Sequence, residues 1–294
     1  MIISALKTTR FGLATLLGAA AAFAATALPA AASSGGGEAV HLQHWTFGGV
    51  RGSFDRAQLQ RGFQVYKEVC ASCHGMRQLS FRNLSQRGGP EFPEEAVKAL
   101  AATYKVNDTP NDQGKVLKRP ARLSDRIPNP FDNDQQARSA NNGALPPDLS
   151  LIARARGFEV EKPAYMVPWH MLKDVFLSGG YQEAGADYLY ALMTGYKDAP
   201  KDMKMADGMQ YNTVFAGNQI SMPAPLSDGR VKYSDGTPAK VENYAADVTA
   251  FLAWAADPKL EERKRLGLMV MLYLALTSVL LYAAKRYIWS DVPH

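Results

Sequence analysis

Cysteine is almost missing from this chain: two residues, Cys70 and Cys73, in 294. That excludes a disulfide-stapled scaffold, which needs several bridges. Net charge is also small where it would matter. Lys and Arg total 33 against 28 Asp and Glu, but residues 33–258 carry 25 of each, so the excess sits at the two ends. A neutral body lacks the basic stripe of a nucleic-acid binder, and no nucleic-acid partner is expected. Strand alternation is scarce and no internal repeat occurs. What is present is an ordinary folded composition, 47% hydrophobic and 21% charged, with basic residues placed beside apolar runs at both termini.

Those termini read as membrane-related segments. Lys7 and Arg10 precede an Ala- and Leu-rich run from Phe11 to Leu28, and Ala30, Ala31 and Ala32 follow. A positive start, an apolar middle and a small-residue end are the plan of an export signal, so residues 1–32 are expected to be a signal peptide. A transit peptide would be amphipathic and richer in Arg. Near the other end, Leu266 to Ala284 carries no charge, bounded by Arg263, Lys264 and Arg265 before and Lys285 and Arg286 after. As a helix it spans roughly 28 Å, close to the thickness of a hydrocarbon core. The expected arrangement is a body outside the membrane at residues 33–258, an anchor at 259–287 and a short tail at 288–294 in the cytoplasm. The Lys and Arg count beside the anchor favours the opposite orientation, but the first targeting segment has more control than charges after a large translocated domain.

Within the body, helical spacing predicts a helix over Phe54 to Glu68, capped by Ser53 and delivering into Cys70. Further helices are expected over Glu94–Tyr104, Asp187–Tyr196 and from Val241 toward Pro258. Val106 to Pro147 is dense in Pro, Asn, Asp and Gly and reads as long ordered loops.

The strongest signal is C-A-S-C-H at Cys70 to His74. A C-x-x-C pair can be a thiol redox couple, half of a zinc site or a c-type haem attachment. Zinc asks for a second pair of ligands, and none is spaced for it. A thioredoxin-like couple asks for a βαβ pattern, also missing. Haem asks only for what is there: two thiols to bond the porphyrin edge and an imidazole one residue on to ligate iron. One covalent haem c is therefore expected, with His74 as an axial ligand.

A filled sixth position makes an electron carrier, and an open one admits O2 or peroxide. A thioether is the expected filler, being soft and favouring reduced iron. Met222 is the first candidate, because Pro223 and Pro225 stiffen its Gly- and Pro-rich loop. Met203, Met205 and Met209 form a rival cluster in a Lys- and Asp-rich stretch that reads as exposed, and His41, His44 and His170 remain possible ligands.

At these residues the chain resembles the cytochrome c1 family, haem subunits of the quinol to cytochrome c oxidoreductase (the bc1 complex), in its bacterial form. The likeness runs from Phe54 to Trp289. It is carried by R-G-F-Q-V-Y-K-E-V-C-A-S-C-H ending at His74, A-N-N-G-A-L-P-P-D-L-S at Ala140 to Ser150, R-A-R at Arg154 to Arg156, D-Y-L-Y-A-L-M-T-G-Y at Asp187 to Tyr196, and the tail anchor. The family's sixth ligand lies in a G-x-x-I-x-M-x-x-P segment, here G-N-Q-I-S-M-P-A-P, which falls on Met222. The resemblance also implies that Arg156 pairs with a haem propionate, that Tyr188 donates a hydrogen bond in the haem pocket, and that Pro146 and Pro147 form part of the wall by His74. Arg154 and Arg138 offer the same chemistry nearby. Some bacterial relatives carry an additional cysteine pair, and this chain has no cysteines left for one.

The resemblance implies a mainly α, class I cytochrome c fold with long loop insertions and one C-terminal transmembrane helix, set in the bacterial inner membrane with its haem domain in the periplasm. It implies electron transfer from a Rieske iron-sulfur protein to a soluble cytochrome c beside cytochrome b, with no bond chemistry on this chain. Another membrane-anchored carrier feeding an oxidase or reductase, and a haem enzyme or sensor with open iron, are the alternatives. Arg51 to Arg87 is mostly basic, whereas Phe158 to Gln210 carries eight acidic and five basic residues. The latter is the expected docking face for a basic partner, with Glu183, Asp187, Asp198 and Asp202 as its charges.

Overall fold

A helix crossing organises the body, and it exists because one residue lacks a side chain. The computed structural model describes residues 42–157 and 180–290, with side chains from 184 onward in the second stretch. The signal-peptide expectation, His41, His170 and the acidic residues between 158 and 179 lie outside the described residues. The chain divides into two units, 1–35 and 36–294, and every described residue belongs to the second.

Helix α1 is Arg56–Val65. Its cap is Asp55 and not Ser53: the Asp55 carboxylate accepts from the amides of Ala57 (2.9 Å) and Gln58 (3.3 Å), satisfying donors that a helix start leaves unpaired. The apolar stripe of Leu59, Phe63 and Tyr66 is buried against α6, Val241–Ala256. A Cβ on Gly62 would lie 2.1 Å from the Asp247 carbonyl oxygen and 2.7 Å from Phe251 Cβ, so only glycine permits this approach. Phe63 and Phe251 meet edge to face at 5.6 Å, and Tyr66 adds a ring 5.8 Å from Phe251. Fully buried aromatics of this size each contribute about 1.5–3 kcal/mol. Across the same crossing Arg61 donates to Asp247 from Nε (2.8 Å) and Nη2 (3.2 Å), and to Asp235 from Nη1.

Helix α2, Glu94–Ala102, sets its buried Val97 and Ala101 into this core. The Pro- and Asn-rich region holds more structure than loops: an antiparallel pair, β1 Lys105–Asn107 and β2 Lys118–Pro120, and a helix, α3 Asp134–Ala140. Periodicity misses such short elements. Asn133 supplies the cap of α3 by accepting from the Gln136 amide at 2.9 Å.

Helix α4 is Ile152–Ala155 and α5 is Gly180–Thr194, longer at its start than expected because Gly180 and Gly185 dilute the apolar pattern. Gly185 is a contact point: an added Cβ would stand 1.7 Å from the Ala153 carbonyl oxygen of α4. A second antiparallel pair, β3 Gln210–Tyr211 and β4 Gln219–Ile220, follows. The last helix, α7 Leu260–Ile288, buries Leu260 in the domain and exposes its apolar residues from Leu266 onward. Its apolar window has a mean hydropathy of 2.1 and none of it is buried, which fits one membrane-crossing helix on a mainly helical body.

Candidate haem site

Immediately after α1 the backbone widens through a five-residue π turn, Tyr66–Cys70. The Ala71 amide donates to the Tyr66 carbonyl (2.8 Å), and the amides of Cys73 (3.1 Å) and His74 (2.9 Å) both donate to the Cys70 carbonyl. One extra residue per turn changes the direction in which the following side chains leave the helix. Cys70 and Cys73 are half-buried free thiols. Burial, helped by the neighbouring Cys73, pushes the Cys70 thiol up to about 12.

The imidazole of His74 is oriented by the backbone. Its Nδ1 lies 2.8 Å from the Pro147 carbonyl oxygen. A carbonyl can only accept, so Nδ1 carries the proton and Nε2 keeps its lone pair. Burial lowers the imidazole's proton affinity, which favours the neutral ring needed in a metal ligand. The segment that offers Pro147 is stitched to the residues beyond His74. The Leu149 amide donates to the Gly75 carbonyl (2.9 Å), the Arg77 amide to Asp148 Oδ2 (2.8 Å) and the Gln78 amide to Ser150 Oγ (2.9 Å). Burial alone would raise the Asp148 carboxyl, but hydrogen bonds from Ser150 and the Arg77 amide outweigh it and hold the group below its ordinary value.

Past this wall comes α4 with buried Ile152, then Arg156. Tyr188 on α5 is half-buried; burial raises its hydroxyl pKa and the positive charge of Arg156 opposes the rise. The rival arginines are engaged elsewhere. Arg154 pairs with Asp257, which Arg263 also reaches, and Arg138 donates to the Gly143 carbonyl at 3.1 Å. Arg156 makes no ion pair among the described residues and is exposed, as a propionate partner should be.

Met222 follows β4 and is half-buried. Its backbone carbonyl accepts from the Tyr196 hydroxyl at 3.1 Å, just past the end of α5. Both axial candidates thus hang from one helix: His74 through Pro147, α4 and the Gly185 contact, Met222 through Tyr196. Tyr196 escaped the sequence reading although it closes the D-Y-L-Y-A-L-M-T-G-Y run, because its role is a backbone contact that no spacing encodes. The rival methionines 203, 205 and 209 are half-buried and not exposed as expected. The sulfur of Met209 accepts from Ser221 Oγ at 3.2 Å. His44 is exposed.

Two thiols on one turn, an imidazole with its tautomer set, a thioether on a tied loop and an exposed guanidinium at the end of α4 suit an iron porphyrin. Among the described residues no group of three or more His, Cys, Asp or Glu side chains could hold a metal ion, so the zinc alternative gains no ligands. A groove of about 780 Å³ lined by Arg77, Arg126, Pro128, Leu151 and Ile152 adjoins the wall but takes in neither cysteine nor Met222.

Residues 45–292 match the profile of the Cytochrome C1 family. The chain belongs to the cytochrome c1 family. It is 45% identical over 271 residues to cytochrome c1 of Blastochloris viridis, covering 92% of each chain, and 40% identical over 281 residues to that of Rhodospirillum rubrum, covering 90% and 93%. It is 48% identical over 248 residues to the protein named cytochrome b/c1 of Bradyrhizobium diazoefficiens, matching 84% of this chain but only 35% of that protein. Membership makes the chain a haem-binding, electron-transferring subunit of the bc1 type.

One expectation about docking needs correction. Asp187 is not a surface charge. It is 1% exposed, and its Oδ1 accepts from Trp45 Nε1 and the Gln43 amide, each at 2.9 Å. The position lies on the inner face of α5, where a carboxylate closes buried donors. Asp198 and Asp202 are exposed as expected.

Proposed function

We propose that this member of the cytochrome c1 family carries one haem c, joined by thioethers to Cys70 and Cys73, with His74 and Met222 as the iron's axial ligands and Arg156 and Tyr188 at its polar edge. When bound, haem supplies a one-electron couple. The chain's own residues hold that couple in place. Cys70 and Cys73 prevent loss of the cofactor, and Pro147 keeps His74 aimed through Nε2. Arg156 offsets propionate charge, and two protein ligands exclude O2 and peroxide from the iron. With His74 and Met222 both supplied by the chain, neither ligand would have to leave on reduction, as a carrier requires. The observation that carries the reading is the His74 Nδ1 to Pro147 hydrogen bond on the C-x-x-C-H turn, which frees one nitrogen lone pair beside two thiols.

The electron is taken from a Rieske iron-sulfur protein and given to a soluble periplasmic cytochrome c, with cytochrome b as the membrane neighbour; the chain performs no bond chemistry. The name cytochrome b/c1 of the Bradyrhizobium relative supports cytochrome b as partner. Residues 1–32 serve as export signal, 33–258 as the periplasmic haem domain, 259–287 as inner-membrane anchor and 288–294 as cytoplasmic tail. A test is haem retention after denaturing electrophoresis and quinol-driven reduction in membranes. The wild type keeps haem on the polypeptide and is reduced by quinol only while the iron-sulfur protein is present; Cys70→Ser with Cys73→Ser loses the covalent haem. Reduction that persists after the iron-sulfur protein is removed would contradict the assigned donor.

A further inference from the structure

A methionine ligand is a weak, flexible one: three rotatable bonds separate its sulfur from the backbone. The geometry of an iron–thioether bond therefore depends on how firmly the chain at the methionine is held. Downstream, Pro223 and Pro225 stiffen the loop. Upstream there is a turn in which Gly217 (φ +76°) and Asn218 (φ +58°) both take left-handed conformations, and it needs an external hold.

We propose that Tyr196 is a positioning residue for the Met222 ligand, the working end of a latch that binds the loop to the C-terminus of α5. The inference rests on the assignment of Met222 as axial ligand. The Tyr196 hydroxyl donates to the Met222 carbonyl itself, at 3.1 Å. At the other end Tyr196 is bridged to Asn212 by antiparallel backbone pairing, and Asn212 is fully buried. Its side-chain amide makes three bonds: Nδ2 donates to the Leu192 carbonyl of α5 (2.8 Å), while Oδ1 accepts from the amides of Val214 (3.0 Å) and Phe215 (3.1 Å). Asn218 Nδ2 donates to the Asn212 carbonyl (3.0 Å), and the Thr213 amide to the Gly195 carbonyl (2.9 Å). A Cβ at Gly195 would sit 3.0 Å from Thr213 Oγ1 and 3.2 Å from Asn212 Oδ1, so the closeness of loop and helix is built in. The loop is thus tied at Asn212, at Asn218 and at Met222. The last of these ties is a single hydroxyl.

Tyr196→Phe removes that hydroxyl and keeps the ring and the backbone bridge. The loss of one hydrogen bond of about 1 kcal/mol is roughly fivefold in an equilibrium. In the full-length protein within its membrane complex, Tyr196→Phe is expected to raise about fivefold the fraction of reduced protein that binds carbon monoxide. It should also weaken the near-infrared sulfur-to-iron charge-transfer band of the oxidised form and lower the reduction potential. Asn218→Gly keeps the left-handed backbone, removes a neighbouring tie and serves if the first variant fails to fold; it should shift the same readouts in the same direction by less. Met222→Leu is the control. If it abolishes the band while Tyr196→Phe and Asn218→Gly match the wild type, the latch is overturned and the ligand assignment stands. If Met222→Leu keeps the band, the ligand assignment falls and the latch with it.

Discussion

Asp187 shows what a single residue can conceal. In the sequence it is one more acid in an acidic stretch; in the fold it is buried beside Trp45, and burial raises its carboxyl above the ordinary value of 3.8 against the hydrogen bonds of the Gln43 amide and Trp45. A group whose proton affinity rises on folding favours the folded state where it is protonated. Its contribution is complete below the unfolded value and is lost as pH rises through the folded one. Asp187→Asn keeps an acceptor for both donors and removes the charge. Denaturation midpoints measured on either side of the ordinary carboxylate range should therefore show the variant gaining on the wild type as pH rises toward neutral. A gap that stays constant with pH would contradict the burial argument. Arg61 poses the opposite problem, because it pairs with an Asp247 whose side chain is 4% exposed. Arg61→Leu strands that carboxylate and should cost about 3 kcal/mol in chemical denaturation; a loss under about 0.5 kcal/mol would mean that Asp247 finds water or another donor.

Among the elements, the crossing of α1 and α6 is decided by one glycine. Alanine is ordinarily about 1 kcal/mol better than glycine inside a helix. At Gly62 the new Cβ would meet the Asp247 backbone oxygen at 2.1 Å, and backbone cannot swing aside as a side-chain tip can. Overpacking of about 1–3 kcal/mol beats the propensity gain, so Gly62→Ala should lower the denaturation midpoint and loosen the turn that bears Cys70 and Cys73. A rise in the midpoint would show that the helices separate freely. The C-x-x-C-H turn, the helices with a clean apolar stripe and the anchor were legible in the sequence because each is a local pattern. The wall at Pro147, the Tyr196 tie and the glycine contacts were not, since they pair residues far apart in the chain through backbone atoms that every residue shares. The start of α5 was missed because Gly180 and Gly185 interrupt its stripe, and Gly185 is there for a contact with α4 and not for propensity.

Viewed whole, the molecule is a haem domain fixed to the root of its membrane helix. The first turn of α7 belongs to the domain: Leu260 is buried. Glu261 accepts from Arg56 Nη1 (2.8 Å), Arg56 Nη2 (2.7 Å) and the Phe54 amide (2.7 Å). Asp257 joins Arg154, two residues before Arg156, to Arg263. The end of α4 and the root of α7 are therefore tied through one carboxylate. Truncation after Arg265 keeps these contacts, whereas truncation after Pro258 removes Leu260 and the bidentate Arg56 partner. The shorter protein should melt lower, by about 2 kcal/mol at its midpoint. Equal melting of the two would show that the root of α7 is not part of the domain.

The most direct test of the central claim, that His74 and Met222 close both faces of a covalently held haem iron, is the reduced optical spectrum of the purified protein with and without carbon monoxide. With both positions filled, the spectrum is expected to be c-type and unchanged by the gas. A spectrum shifted by carbon monoxide would mean an open iron, and would contradict both the ligation and the reading of this chain as a pure electron carrier.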